Sequence, residues 1–209
     1  MEEPSAKEML QGVLSRMLPH DIWAKYIIFE GKQDLEKQMI RRIKGWMAPD
    51  SFFLIMRDQD SGDCIDIKNS LAGKIIESKK QDNAIIRIAC HELESFYLGD
   101  LAAVEQGLGV RGISRQQNNK KYRSPDILSN ASDELKKISK NQYQKIAGSR
   151  FIAPHLKIDG SNKSHSFNIL IEGIKKITGL QDTHQQKVNS PKLLDLLHEF
   201  QHSETALVV

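Results

Sequence analysis

Two short acidic clusters carry the strongest chemical signal in the chain: Asp58-Gln59-Asp60 and Glu92-Leu93-Glu94. Carboxylates two residues apart on an extended chain point to the same side, where they can share one hard cation. Mg²⁺ prefers oxygen ligands and keeps several of its waters. A pair of such ions is a standard way to stabilise the attacking and leaving oxygens of phosphodiester cleavage. An acid pair after a strand is also ordinary turn composition. Two pairs are harder to assign to turns, because clustered carboxylates repel one another unless a cation or a basic group offsets them. Asp58, Asp60, Glu92 and Glu94 are therefore the candidate ligands of Mg²⁺, with Mn²⁺ as the alternative ion.

The elements around these clusters explain how they could be positioned. Ser51–Arg57 is a continuous apolar run, suited to a strand buried on both faces of a sheet, and Ala84–Cys90 reads as another buried strand. Each runs directly into one acid cluster. Apolar residues at helical spacing predict helices over 7–18, with Ser5 as N-cap and Pro19 as stop, and over 34–46, 65–79 and 94–106. Ile22–Phe29 reads as a further strand. This alternation predicts an α/β fold, a mostly parallel sheet with flanking helices over residues 1–110. Helices expected over 132–146, 166–178 and 191–202 make residues 111–209 a mainly helical extension packed on it. Ligand sites of such sheets lie at the carboxyl ends of the strands, where both acid clusters fall.

Composition narrows the function classes. The 209 residues are 39% hydrophobic and 27% charged, with a net charge of +3. Those are globular values, compatible with nucleic acid as a partner without demanding it. No apolar run reaches the roughly 20 residues of a membrane span. The start of the chain lacks the pattern of a secretory signal. Cys64 and Cys90 lack metal-ligand spacing and read as free thiols, so a cytoplasmic setting is expected. A Gly-x-Ser-x-Gly elbow and a Walker loop are absent. Gly107-Leu-Gly109-Val-Arg-Gly112 follows a helix rather than a strand, which disqualifies it as a dinucleotide loop. His198 and His202 stand four apart, a spacing that can bind zinc, but they lack a third ligand.

Residues 111–150 are rich in Lys, Arg, Asn, Gln and Ser. Lys120, Arg123, Lys145 and Arg150, together with Lys32, are candidate phosphate contacts, with Lys121 beside them and Tyr122 and Tyr143 available for stacking. For any single one of them a solvated face is the simpler explanation. Arg150 and His155 are candidates for charge partners of the acids.

The order helix, strand, helix, strand-Asp-x-Asp, helix, strand-Glu-x-Glu resembles a Toprim domain. It is similar in particular to a small Toprim-like bacterial family of unknown function, related to the Toprim domain of the overcoming-lysogenization-defect nucleases and often encoded beside ABC-type ATPases. The matching stretches are Glu2-Glu3-Pro4-Ser5, Gly31–Leu35, Asp58-Gln59-Asp60 with Asp63-Cys64, Arg87–Asp100, Lys121–Asp126 and Ala147–His155. The resemblance implies that Asp58 and Asp60 bind Mg²⁺ and that a glutamate at a strand end is the acid/base or a further ligand. Glu2 occupies that place in the order of elements, making Glu2, Asp58 and Asp60 the expected catalytic set. A strand should precede it, and Met1 leaves no room for one. Glu30, at the end of the strand 22–29, is the second candidate.

The resemblance implies a Mg²⁺-dependent nuclease, a hydrolase acting on the phosphodiester bonds of DNA or RNA. It further implies that the chain is the effector partner of an ATPase in defence against phage. The rival expectation is a non-catalytic regulatory subunit that docks on an ATPase or on nucleic acid. A third is a phosphate-ester hydrolase of small molecules. A homo-oligomer is compatible with each.

Overall fold

The computed structural model describes residues 1–180 and 205–209. The helix expected over 191–202 and the His198/His202 pair lie outside the described residues. In chain order the elements are α1 (Pro4–Leu14), β1 (Ile22–Lys25), α2 (Lys32–Lys44), β2 (Ser51–Asp58), α3 (Cys64–Ile76), β3 (Ala84–Ala89), α4 (Glu94–Leu98), α5 (Leu101–Leu108), α6 (Lys120–Arg123), α7 (Ala131–Ile138), α8 (Lys145–Ile152), α9 (His165–Ile177) and β4 (Thr205–Val208).

The four strands form one parallel sheet in the order β1-β4-β2-β3. Successive side chains on a strand face opposite ways, and both faces are covered. Phe53 and Ile55 of β2, Ile86 and Ile88 of β3, and Ala206 and Val208 of β4 meet Leu35, Met39 and Ile43 of α2 and Leu71 and Ile75 of α3. On the other face Leu54, Met56, Ala89 and Leu207 pack with Met9, Leu10, Val13 and Leu14 of α1 and with residues of α4, α5, α7, α8 and α9. The unbroken apolar character of β2 follows from this double coverage. The later helices thus share one core with α1.

Glu2 does have a strand in line before it. That strand comes from the far end of the sequence. β4 pairs with β1 on one side and β2 on the other. The Val209 amide donates to the Lys25 carbonyl (2.8 Å) and the Val209 carbonyl accepts from Ile27 (2.7 Å). The Met1 nitrogen then donates to the Ile27 carbonyl (3.0 Å), and the Met1 carbonyl accepts from Phe29 (3.0 Å). In a parallel ladder these bonds set Val209 opposite Tyr26 and Met1 opposite Ile28. Met1 therefore continues the track of β4 after a single register position, opposite Ile27. Glu2 leaves that track into α1 on one face, whereas Asp58 leaves β2 toward α3 on the other. Adjacent tracks that diverge to opposite faces open a crevice at the carboxyl edge.

Several boundaries differ from the pattern reading. α1 starts at Pro4, which suits the first helical turn, so Ser5 lies inside the helix and donates to Glu3 (3.0 Å) instead of capping it. The helix expected over 94–106 breaks at Gly99-Asp100. A Cβ on Gly99 would stand 1.9 Å from Asn162 Oδ1, and Asp100 caps the second piece by accepting from Ala103 (3.3 Å). The helix expected over 132–146 ends at Ile138. Lys140 and Asn141 turn left-handed (φ 52° and 63°) and restart the chain toward α8. β1 is shorter than expected, although residues as far as Phe29 continue its ladder.

Candidate metal centre

Three segments deliver carboxylates to the crevice: the Met1 track, the end of β2, and the turn from β3 into α4. Asp58 is at the centre. Its residue surface stays partly accessible, but its carboxylate is recessed. Burial is the main reason its pKa rises well above 3.8, and the charges of Glu3, Glu94 and Glu2 push in the same direction. The Leu93 amide works against them. Glu2 has only 13% of its side chain exposed. Burial also raises its pKa, with Arg57 opposing and Asp60 and Glu3 adding. Its Oε2 has no hydrogen-bond partner, since Arg57 Nε stands 4.0 Å away.

Glu94 opens α4 and is fully buried. One oxygen accepts from the Tyr143 hydroxyl (2.8 Å); the other, Oε2, has no partner. Burial raises its pKa, while Tyr143 and Lys145 lower it. Lys145, at the start of α8, pairs with Glu3 (2.7 Å). Burial would lower the Lys145 pKa, but its contact with Glu3 and the charges of Glu94, Glu3 and Asp58 leave it raised. Lys145 thus partly balances Glu3, Glu94 and Asp58, and Arg57 partly balances Glu2.

The outer members of the two acid pairs are placed differently. The expectation that Asp58 and Asp60 share a side is corrected by the backbone. Asp60 has φ 53°, a left-handed conformation that ends the strand alternation. Its side chain is 42% exposed and pairs with Lys32 (2.9 Å). The turn is pinned to its neighbour: Asp60 N donates to the carbonyl of His91 (2.8 Å), itself left-handed at φ 57°. Two non-glycine residues in this region at adjacent strand ends represent strain of about 1–3 kcal/mol each. Glu92 accepts from the Ser132 amide (2.7 Å) and so ties β3 to α7. Its charge reaches Glu94.

Of the five candidate phosphate contacts, Lys32 and Lys145 touch the acids. Arg150 instead grips Glu8 on α1 (2.7 and 3.2 Å), because α8 packs along α1 there. Lys120 and Arg123 are exposed on α6, and Lys121 pairs with Glu134 (2.6 Å). Glu30 is exposed at the end of the β1 track, and its amide donates to Asp34 (3.0 Å). Asp63 is the N-cap of α3, accepting from Ile65 and Asp66 (2.8 and 3.0 Å). Asp126 anchors the start of α9 by accepting from Ser164 and Ser166 (2.6 and 2.7 Å). Pattern reading missed Glu3, Arg57 and the bond from Tyr143 to Glu94. The adjacency of Glu3 to Glu2 was the one signal available.

Among the described residues, no three His, Cys, Asp or Glu side chains are gathered into a ready metal cage. The two orphaned oxygens, Glu2 Oε2 and Glu94 Oε2, and the raised pKa values of Glu2, Asp58 and Glu94 are what a cation would relieve. In that respect the donor set fits a hard divalent ion.

No helix among the described residues is long and apolar enough to cross a membrane. Neither a curated protein nor a solved structure matches the chain. Residues 1–175 match DUF4276, a domain of unknown function, and the chain belongs to that family.

Proposed function

We propose that this chain is a Mg²⁺-dependent phosphodiesterase of Toprim type acting on nucleic acid. The observation that carries the reading is the convergence of Glu2, Asp58 and Glu94 at the carboxyl edge, with one unpartnered oxygen each on Glu2 and Glu94. Glu2, Asp58 and Glu94 would hold the ion, with Glu3 beside them. When bound, Mg²⁺ supplies charge neutralisation at the phosphodiester and an acidified water. Glu2, whose pKa burial raises, would complete the ion's ligand set or serve as the acid/base. Asp60 and Glu92 hold the two turns in place, Asp60 through Lys32 and His91 and Glu92 through Ser132. Lys145 steadies Glu3 and offers positive charge to an incoming phosphate. An ABC-type ATPase as partner, and a role in phage defence, rest on the resemblance alone.

The test is Mg²⁺- or Mn²⁺-dependent cleavage of plasmid DNA and of RNA by the wild type and by Asp58→Asn. Metal-dependent cleavage that disappears in the variant supports the reading; cleavage that persists in it contradicts the reading. The rival reading is a non-catalytic subunit docking on an ATPase or nucleic acid. That reading requires Asp58→Asn to keep full biological activity.

A further inference from the structure

A second feature of different charge adjoins the acidic crevice. An open cleft of about 380 Å³ runs between α2, the end of β2 and α3, lined by Lys32, Gln33, Glu36, Lys37, Arg57 and Lys74. Four of these six side chains are cations, against the single carboxylate of Glu36. Three of the cations, Lys32, Arg57 and Lys74, are ion-paired. Arg57 is only 6% exposed; its Nη1 donates to Glu36 Oε1 (2.8 Å) and its Nε to the Asp58 carbonyl (3.1 Å). Lys74 takes the other Glu36 oxygen (2.7 Å). Glu36 thus spans two cations and cannot neutralise both. Lys37 is exposed at the cleft wall.

The cleft is contiguous with the acids through two contacts. Arg57 Nε stands 4.0 Å from Glu2 Oε2, and Lys32 reaches Asp60 at 2.9 Å. A group of cations beside a carboxylate site divides labour simply. Carboxylates repel a phosphate unless a metal intervenes, whereas guanidinium and ammonium groups bind one directly.

We infer that this cleft binds the backbone phosphates of a nucleic-acid strand, next to the bond presented to the acidic site. Arg57, Lys37 and Lys74 supply the contacts, and Lys32 bridges the two regions. The inference rests on the function proposed above, but it is tested through binding alone. An inert background, Asp58→Asn in EDTA, removes both metal and cleavage. Anisotropy of labelled DNA and RNA oligonucleotides of about 20 nucleotides then measures affinity against salt.

Adding Lys37→Glu and Lys74→Gln is expected to weaken binding about tenfold or more at low salt. It should also reduce the slope of log affinity against log salt by roughly 0.7 for each lost contact to a single strand. Lys37→Glu alone, at an exposed position, should show part of the effect in a protein with an unchanged melting curve. Lys120→Glu with Arg123→Glu, on distant α6, should change affinity less than twofold. Unaltered affinity in the cleft variants overturns the inference. So does a larger loss in the α6 variant, a mononucleotide that binds as tightly as the oligonucleotide, or no binding by the parent protein. Binding that behaves as expected while the wild type fails to cleave with Mg²⁺ leaves the cleft assigned and removes the catalytic reading.

Discussion

The inner and outer carboxylates of the same two motifs do opposite work. Asp58 and Glu94 face the crevice, raised in pKa chiefly by burial, with the charges of Glu3, Glu94 and Glu2 adding at Asp58 and that of Glu92 adding at Glu94. Asp60 and Glu92 are satisfied, by Lys32 and by the Ser132 amide. The inner pair is expensive to keep without a cation, because ionised carboxylates that lack partners are poorly tolerated in a recessed site. The outer pair is cheap and helps to hold the turns. The comparison teaches that an acidic motif is not one unit: neighbours two positions apart can divide into a ligand and a tether when the backbone between them turns left-handed.

The largest effect should appear in catalysis. Asp58→Asn is expected to lower Mg²⁺-dependent cleavage by on the order of 10³-fold, since metal positioning supplies several kcal/mol of transition-state stabilisation. Asp60→Asn should cost about tenfold or less. Equal losses on plasmid nicking would erase the distinction between inner and outer acids.

Removing packing beneath the crevice comes next. Leu207 is fully buried in β4, the strand in line before Glu2. Leu207→Ala should destabilise the fold by about 2–5 kcal/mol, read by urea denaturation. It should also weaken Mg²⁺ binding more than an equally destabilising change on α9.

The smallest and most diagnostic effect is on stability against pH. The folded-state pKa of Asp58 is raised above 3.8. Its share of stability is therefore intact below that value and is lost as pH climbs through the folded-state pKa. In EDTA, Asp58→Asn should melt higher than the wild type, by roughly 2–4 °C if about 1 kcal/mol is relieved, and the gap should widen as pH rises. Added Mg²⁺ should close it by stabilising the wild type alone. Asp60→Asn should shift stability by about 0–1 kcal/mol in the unfavourable direction, the worth of an exposed ion pair.

Much of this was legible in the residues. β2 is a continuous apolar run and β3 a mainly apolar one because both sheet faces are covered, and their ends announce the acids. The placement of β4 was not legible. Thr205–Val208 is a short apolar stretch whose meaning lies in pairing with residues about 180 and 150 positions earlier, and periodicity carries no information about such distant partners. The left-handed turn at Asp60 was equally hidden, since aspartate tolerates that conformation without requiring it and the bond to His91 fixes it from another strand. Arg150 illustrates the converse. Its charge suggested the site, whereas the packing of α8 on α1 gave it to Glu8.

The central claim is that the inner carboxylates form a cation site. Calorimetric titration of Mg²⁺ or Mn²⁺ into the wild type, Asp58→Asn and Asp60→Asn tests it most directly. The account predicts binding by the wild type that strengthens with pH as the inner acids lose protons. It also predicts loss of that binding in Asp58→Asn and its retention in Asp60→Asn. A wild type that binds no divalent ion, or an Asp58→Asn protein that binds it equally well, would contradict the account.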